Sequence, residues 1–221
     1  MRRAIKLTIQ YLMLLLGAPL VYSLWLTRCQ GQHRLSVMIV LLAILSCYTV
    51  TFVGTNVIRL WEFHIPGMIG HMPFYAGIVL GTSISLETYL CLALRPPAPI
   101  EVGTLLQLTF LSGSVVSLWN WVFDIFAIKT GTLTVYIRSP RERWGAASIA
   151  GDYAPLYFFV YGAIYAAEIL LAEDWLLLQG RWAAYPWLFV LSLAVLIVTP
   201  FAVYALVRYL QHGDFGITPQ R

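Results

Sequence analysis

Long apolar runs broken by short polar loops dominate this chain, and the run lengths set the first expectation. A helix needs about 20 mostly apolar residues to cross about 30 Å of hydrocarbon. Six stretches reach that length, roughly 4–27, 35–59, 72–94, 102–128, 152–172 and 184–210. They predict an all-α fold: a polytopic membrane helix bundle of about six transmembrane helices, forming one integral-membrane domain over 1–221. Arg2, Arg3 and Lys6 precede the first run as in a secretory signal. That run is longer than a signal core and lacks a small-x-small cleavage site, so it reads as a retained signal anchor. Residues 173–182 are short and amphipathic and are expected at the membrane interface, while the polar tail from Gln211 is expected to fray.

Two of the hairpins read as copies of one pattern, roughly 35–94 and 102–172. In the first, an apolar run ends in Trp61-Glu62-Phe63, crosses a loop and re-enters at Met72-Pro73-Phe74-Tyr75, with a later acid at Glu87. In the second, a run ends in Phe123-Asp124-Ile125 and re-enters at Ala154-Pro155-Leu156-Tyr157, with a later acid at Glu168. Ionisable groups at membrane depth are costly and mark functional sites by default. Glu62 and Asp124 hold matching places in the two copies, so they are expected to share one cavity.

Asp124 sits in the most informative helix. Asn120 lies one turn earlier on the same face and is expected to position the acid, with Trp119, Trp121 and Phe123 supplying aromatic surface. Ser112, Gly113, Ser114 and Ser117 are small enough to admit a neighbouring helix. The competing account of Asp124 is an ion pair with Lys129 or Arg59 at the headgroups; for Glu62 it is a membrane-edge cluster with Arg59 and His64. Glu87 falls roughly 10 Å inside its span and needs a partner or a wet pocket, with Ser83, Ser85 and Tyr89 nearby. Glu168 lies closer to its span's end, within snorkelling reach.

Composition narrows the classes. Sixty per cent of the 221 residues are apolar and 11% are charged, too few polar side chains to cover a water-soluble domain. The net charge of +4 reflects loop positions and requires no nucleic acid. Arg2, Arg3, Lys6, Arg59, Lys129, Arg138, Arg141, Arg143, Arg208 and Arg221 fall on one face, and Arg28, Arg34, Arg95 and Arg181 on the other. The positive-inside rule then puts both termini in the cytoplasm. Such a chain would reside in the cell membrane or the endoplasmic reticulum, in contact with membrane lipids. Cys29, Cys47 and Cys91 lie in or beside apolar runs and read as small hydrophobes. His64, His71 and Glu62 share a loop without a metal-ligand spacing, and no phosphate loop or hydrolase motif is present, so neither metal nor cofactor is expected.

Thirty-two aromatic residues remain. Some mark interfacial belts, while Trp61, Trp119, Trp121, Tyr153, Tyr157, Tyr161 and Tyr165 cluster in sequence around the acids. A carboxylic acid beside aromatic faces suits protonation of an alkene, epoxide or carbonyl, with the rings stabilising the positive charge that follows.

The order acid, loop, proline, aromatic, carried twice by Trp61-Glu62 to Pro73-Phe74-Tyr75 and by Phe123-Asp124 to Pro155-Leu156-Tyr157, resembles the small integral-membrane cyclases. Among these are the fused lycopene cyclases and the membrane cyclases of meroterpenoids and indole sesquiterpenoids. Phe123-Asp124 through Gly131 and Tyr136, then Gly151-Asp152-Tyr153-Ala154-Pro155-Leu156-Tyr157, is also similar to the avermectin-type spirocyclases. Lycopene cyclases carry a Pro-x-Glu-Glu motif before a Phe pair; here Pro155 leads to Leu156-Tyr157-Phe158-Phe159, which keeps the Phe pair and lacks the glutamates. The resemblance implies a membrane terpene cyclase of isomerase or lyase type, acting on a lipophilic terpenoid or polyketide-like substrate in secondary metabolism. Glu62, Asp124 and Asn120 are its expected catalytic residues; Trp61, Glu87, Trp119, Trp121, Tyr157 and Tyr161 are expected to bind substrate. The competing class is a non-enzymatic membrane subunit or lipophilic carrier.

Overall fold

The computed structural model describes residues 12–93, 95–137 and 144–220. Arg2, Arg3, Lys6, Arg138, Arg141, Arg143 and Arg221 lie outside the described residues, as does the start of the first expected span. A π-helical turn, Met13–Gly17, leads into α1 (Ala18–Arg28); α2 (His33–Phe52) continues as a second such turn, Val53–Val57. Three short strands follow, β1 (Trp61–Phe63), β2 (Met68–Ile69) and β3 (Met72–Pro73), then α3 (Ala76–Leu92) and α4 (Val102–Lys129). After β4 (Leu133–Val135) come α5 (Ala146–Gly151), α6 (Ala154–Ala172) and α7 (Tyr185–His212).

The protein is mainly helical, as the apolar runs require. Among the described residues, four helical stretches are long and apolar enough to cross a membrane: His33–Val57, Val102–Lys129, Ala146–Leu178 and Trp182–His212. The expected third span is shorter than its apolar run, because Met72-Pro73 pairs with Met68-Ile69 in a hairpin and the helix starts only at Ala76. Large apolar side chains such as Leu106, Phe110, Val190 and Val198 are exposed on the outer helix faces. A bilayer would solvate them at no cost, whereas water would not.

Glycines set how closely the helices approach. On α4, a Cβ at Gly113 would lie 2.7 Å from the Phe159 carbonyl oxygen of α6; at Gly162 it would lie 2.7 Å from Val116 Cβ. Close crossing of this kind is how helices gain dispersion contact where the hydrophobic effect gives no drive. Ser112 is buried in the same seam, and Ser117 Oγ donates to the Pro155 carbonyl at 2.8 Å. Gly81 does the same for α2 and α3, with a Cβ there falling 2.7 Å from the Ile44 backbone. The two hairpins thus share one construction: a first helix, a short strand four residues beyond its end, and a returning helix. The strands β1 and β4 pair antiparallel, Glu62 opposite Thr134, and join the hairpins at one end.

The opposite end is held by charge. Arg28, buried at the end of α1, donates to both Glu173 carboxylate oxygens at 2.6 and 2.9 Å and to the carbonyls of Leu92 and Arg95. The guanidinium fork therefore ties the ends of α1, α3 and α6 together. Within 173–182, Glu173–Leu178 continues α6 as a π-helical turn with Glu173, Asp174 and Leu176 buried against the bundle. Glu168, expected to snorkel out, is buried too.

Gly113→Ala places a methyl group against the Phe159 carbonyl and is expected to cost about 1–3 kcal/mol, the usual scale of overpacking. Gly103→Ala, where nothing lies within 4 Å of the new atom, should be neutral or mildly stabilising. Thermal unfolding of the detergent-solubilised variants checks the contrast.

Candidate functional site

Beneath the paired strands lies a cavity of about 180 Å³. Its walls come from the ends of α2, α3, α4, α6 and α7 that face the two strand-bearing loops. Alternation along β1 decides which side chains enter it. Successive residues of a strand point to opposite faces, so Trp61 and Phe63 line the cavity while Glu62 is absent from its wall. Trp61 fits because its indole lies against Gly54, where any Cβ would collide with the ring. Glu62 instead accepts hydrogen bonds from His71 Nδ1 and Tyr136 Oη, each at 3.2 Å, at the half-exposed edge of the loops.

The expected pairing of Glu62 and Asp124 in one cavity is therefore corrected. Glu62 occupies a strand after its helix has ended, whereas Asp124 lies five residues inside α4. Both stretches run helix, short strand, returning helix, but the β2–β3 hairpin of the first is replaced by α5 in the second, and the acids do not match in place.

Asp124 is buried in the cavity wall, and its Oδ2 accepts from Tyr153 Oη at 2.6 Å. Tyr153 supplies that bond because it ends the loop before α6 and faces α4 across the glycine seam. Asn120 also lines the cavity, but it does not hold Asp124 as expected. Its Nδ2 donates to the Val116 carbonyl at 2.8 Å and to Glu87 Oε2 at 3.3 Å, while Ser83 Oγ donates to Glu87 Oε1 at 2.8 Å. Glu87 thus stands behind Ser83 and Asn120 and is not part of the cavity wall.

Of the expected aromatic residues, Trp61, Trp119, Tyr157 and Tyr161 line the cavity. Trp121 does not: one residue on from Asn120 it points about 100° away around the helix, with its indole nitrogen near Gly151. Trp119 and Phe123 line the cavity and are also 60% and 47% exposed. The cavity therefore reaches the apolar outer surface beside α4.

Tyr153, Phe201, Tyr204 and Gly216 complete the site. Tyr153, Tyr157, Tyr161 and Tyr165 recur every fourth residue, a helical stripe that was visible in the sequence and marks one face of α6. Nothing in the pattern pointed to the tail, and the expectation that it frays is overturned. Arg208 binds Asp152 and Asp214, the Gly216 amide donates to Asp214 Oδ1 at 2.7 Å, and the Gln220 amide donates to the Tyr136 carbonyl at 2.8 Å. These contacts fold the tail over the cavity, with Gly216 at positive φ in its wall.

No protein-family model, curated protein or solved structure matches this chain.

Partial burial pushes the Glu62 carboxyl up, but the hydrogen bonds from His71 and Tyr136 outweigh it and hold the group below the ordinary carboxylate range. A depressed acid stabilises the fold above its unfolded pKa, about 4.3, and that contribution is lost as pH falls through the folded value. Acid unfolding of Glu62→Gln should lack this loss. The effect will be small because Glu62 is solvent-screened; identical acid limbs for the variant and the wild type would contradict it.

Proposed function

We propose that this protein is a six-span membrane cyclase that uses Asp124 to start cyclisation of a lipophilic terpenoid or polyketide-like substrate. One observation carries the reading: a single carboxylic side chain, fixed by Tyr153, faces an otherwise largely aromatic and aliphatic cavity. In its protonated form Asp124 transfers a proton to an alkene, epoxide or carbonyl of the substrate. The faces of Trp61, Phe63, Trp119 and Phe201 flank the resulting cation, each such contact being worth up to about 2 kcal/mol when desolvated. Ring closure moves the charge along the substrate, and loss of a proton back to the Asp124 carboxylate ends the reaction with no net change in composition. Tyr153 keeps the acid in one rotamer through both proton transfers. Glu62 has no part in these steps.

Size supports a compact reacting unit. An apolar cavity of about 150 Å³ holds benzene, so 180 Å³ accommodates one ring or a closely folded pair. A longer tail would leave past Trp119 and Phe123 into the lipid. Arg59, Lys129 and Arg208 all lie towards the cavity end, which by the positive-inside rule faces the cytoplasm.

Membranes carrying wild type, Asp124→Asn or Glu62→Gln, matched for protein amount and fed a prenylated epoxide, test the reading. Cyclised product per molecule should fall by about 10²-fold or more in Asp124→Asn, the scale of general acid catalysis, and stay near wild type in Glu62→Gln. Undiminished product in Asp124→Asn rules out the mechanism. A carrier would retain the fed compound unchanged in every variant.

A further inference from the structure

The hydrogen bonds around Asn120 say which end of its amide meets the cavity. A backbone carbonyl can only accept, so the contact of 2.8 Å with the Val116 carbonyl must come from the Asn120 NH₂ group. The same nitrogen donates to Glu87 Oε2 at 3.3 Å. Ser83 occupies the other oxygen of that carboxylate at 2.8 Å, so Glu87 is held as an acceptor facing Asn120. The amide nitrogen is thereby committed to α4's own backbone and to α3, and the amide oxygen is turned away from both. Asn120 is 2% exposed and lines the cavity, and among the described residues Oδ1 has no hydrogen-bond partner.

Asp124 lies one turn further along the same face, with only Oδ2 bonded, to Tyr153. The cavity therefore presents these two oxygens about 6 Å apart along the helix axis, in a wall that also carries the Tyr157 and Tyr204 hydroxyls. A buried acceptor without a donor is unfavourable, and a hydrocarbon would leave Asn120 in that condition.

Resting on the site proposed above, we infer that the cavity selects a lipophilic alcohol or phenol, with Asn120 Oδ1 accepting its hydroxyl hydrogen one helical turn from the atom that Asp124 protonates. Asn120 is then a specificity determinant. Glu87, with Ser83 behind it, is a positioning residue that acts through the Asn120 amide. An ether or ester of the same shape offers Asn120 only further acceptors and so forgoes this hydrogen bond. The preceding reaction in such a sequence would be a hydroxylation or a carbonyl reduction that supplies the free hydroxyl.

Three probes of nearly equal size test this by binding alone: p-cresol, its methyl ether 4-methylanisole, and p-xylene. Full-length protein in nanodiscs is titrated with each, following tryptophan fluorescence and correcting for partition into empty nanodiscs. The wild type should bind p-cresol about tenfold more tightly than either partner, the scale of one buried hydrogen bond. Asn120→Leu should erase that preference while keeping p-xylene binding, which also reports that the cavity is intact. Glu87→Gln should reduce the preference without changing p-xylene binding, because its own amide can offer Asn120 a donor and release the fixed orientation. Equal affinities for the three probes in the wild type, or a preference that survives Asn120→Leu, would overturn the inference; a preference unchanged in Glu87→Gln removes Glu87 from it. The readout involves no turnover. A cavity that prefers p-cresol in a protein that never forms cyclised product would therefore sink the cyclase reading and leave the binding assignment standing.

Discussion

The architecture depends on the close crossing of α4 and α6. Gly113 and Gly162 leave no room for a side chain of their own where the two helices meet, and the seam continues through Ser117, which donates to the Pro155 carbonyl. From that crossing the register of the two helices follows. It places Tyr153 opposite Asp124 and turns the tyrosine stripe of α6 inward. A wider crossing would separate the acid from its hydroxyl partner, so packing and chemistry share one constraint.

Two polar clusters inside the bundle differ in kind. At one end, Arg28 and Glu173 are fully engaged, with each carboxylate oxygen and two helix-end carbonyls occupied. Such a site has no free valence for a ligand and serves to hold α1, α3 and α6 together. At the other end, Asp124 and Asn120 are each bonded on one side only, and both residues line the cavity. Buried polar atoms are normally satisfied. The saturated Arg28–Glu173 cluster holds helix ends, whereas Asp124 and Asn120 stand in a cavity wall.

The cavity is also closed by segments without helical character. Two three-residue strands form its roof, and the chain beyond α7 folds back over it, held by Arg208. Arg208 binds acids from two different segments, Asp152 before α6 and Asp214 in the tail, so one guanidinium fixes the floor of α6 and the cover together. Charges that the positive-inside rule reads as orientation signals here carry structural contacts as well.

Periodicity and composition determined the helical class, the apolar runs and the singling out of Asp124, which the structure buries in a cavity wall. Each of these follows from local rules: the length of an apolar run, a spacing of three or four residues, the cost of a charge in hydrocarbon. Tertiary structure decided the rest. Glu62 left the site because a short strand alternates its side chains, and three residues are too few for that period to be read in advance. Asn120 turned from Asp124 to Glu87 because α3 packs alongside α4, a contact between residues 33 positions apart. The tail joined the cavity because the Gln220 amide reaches the carbonyl of Tyr136, in the distant loop after β4. Hydrogen bonds between distant segments leave no spacing in a single sequence, and in this protein they set which groups face the cavity.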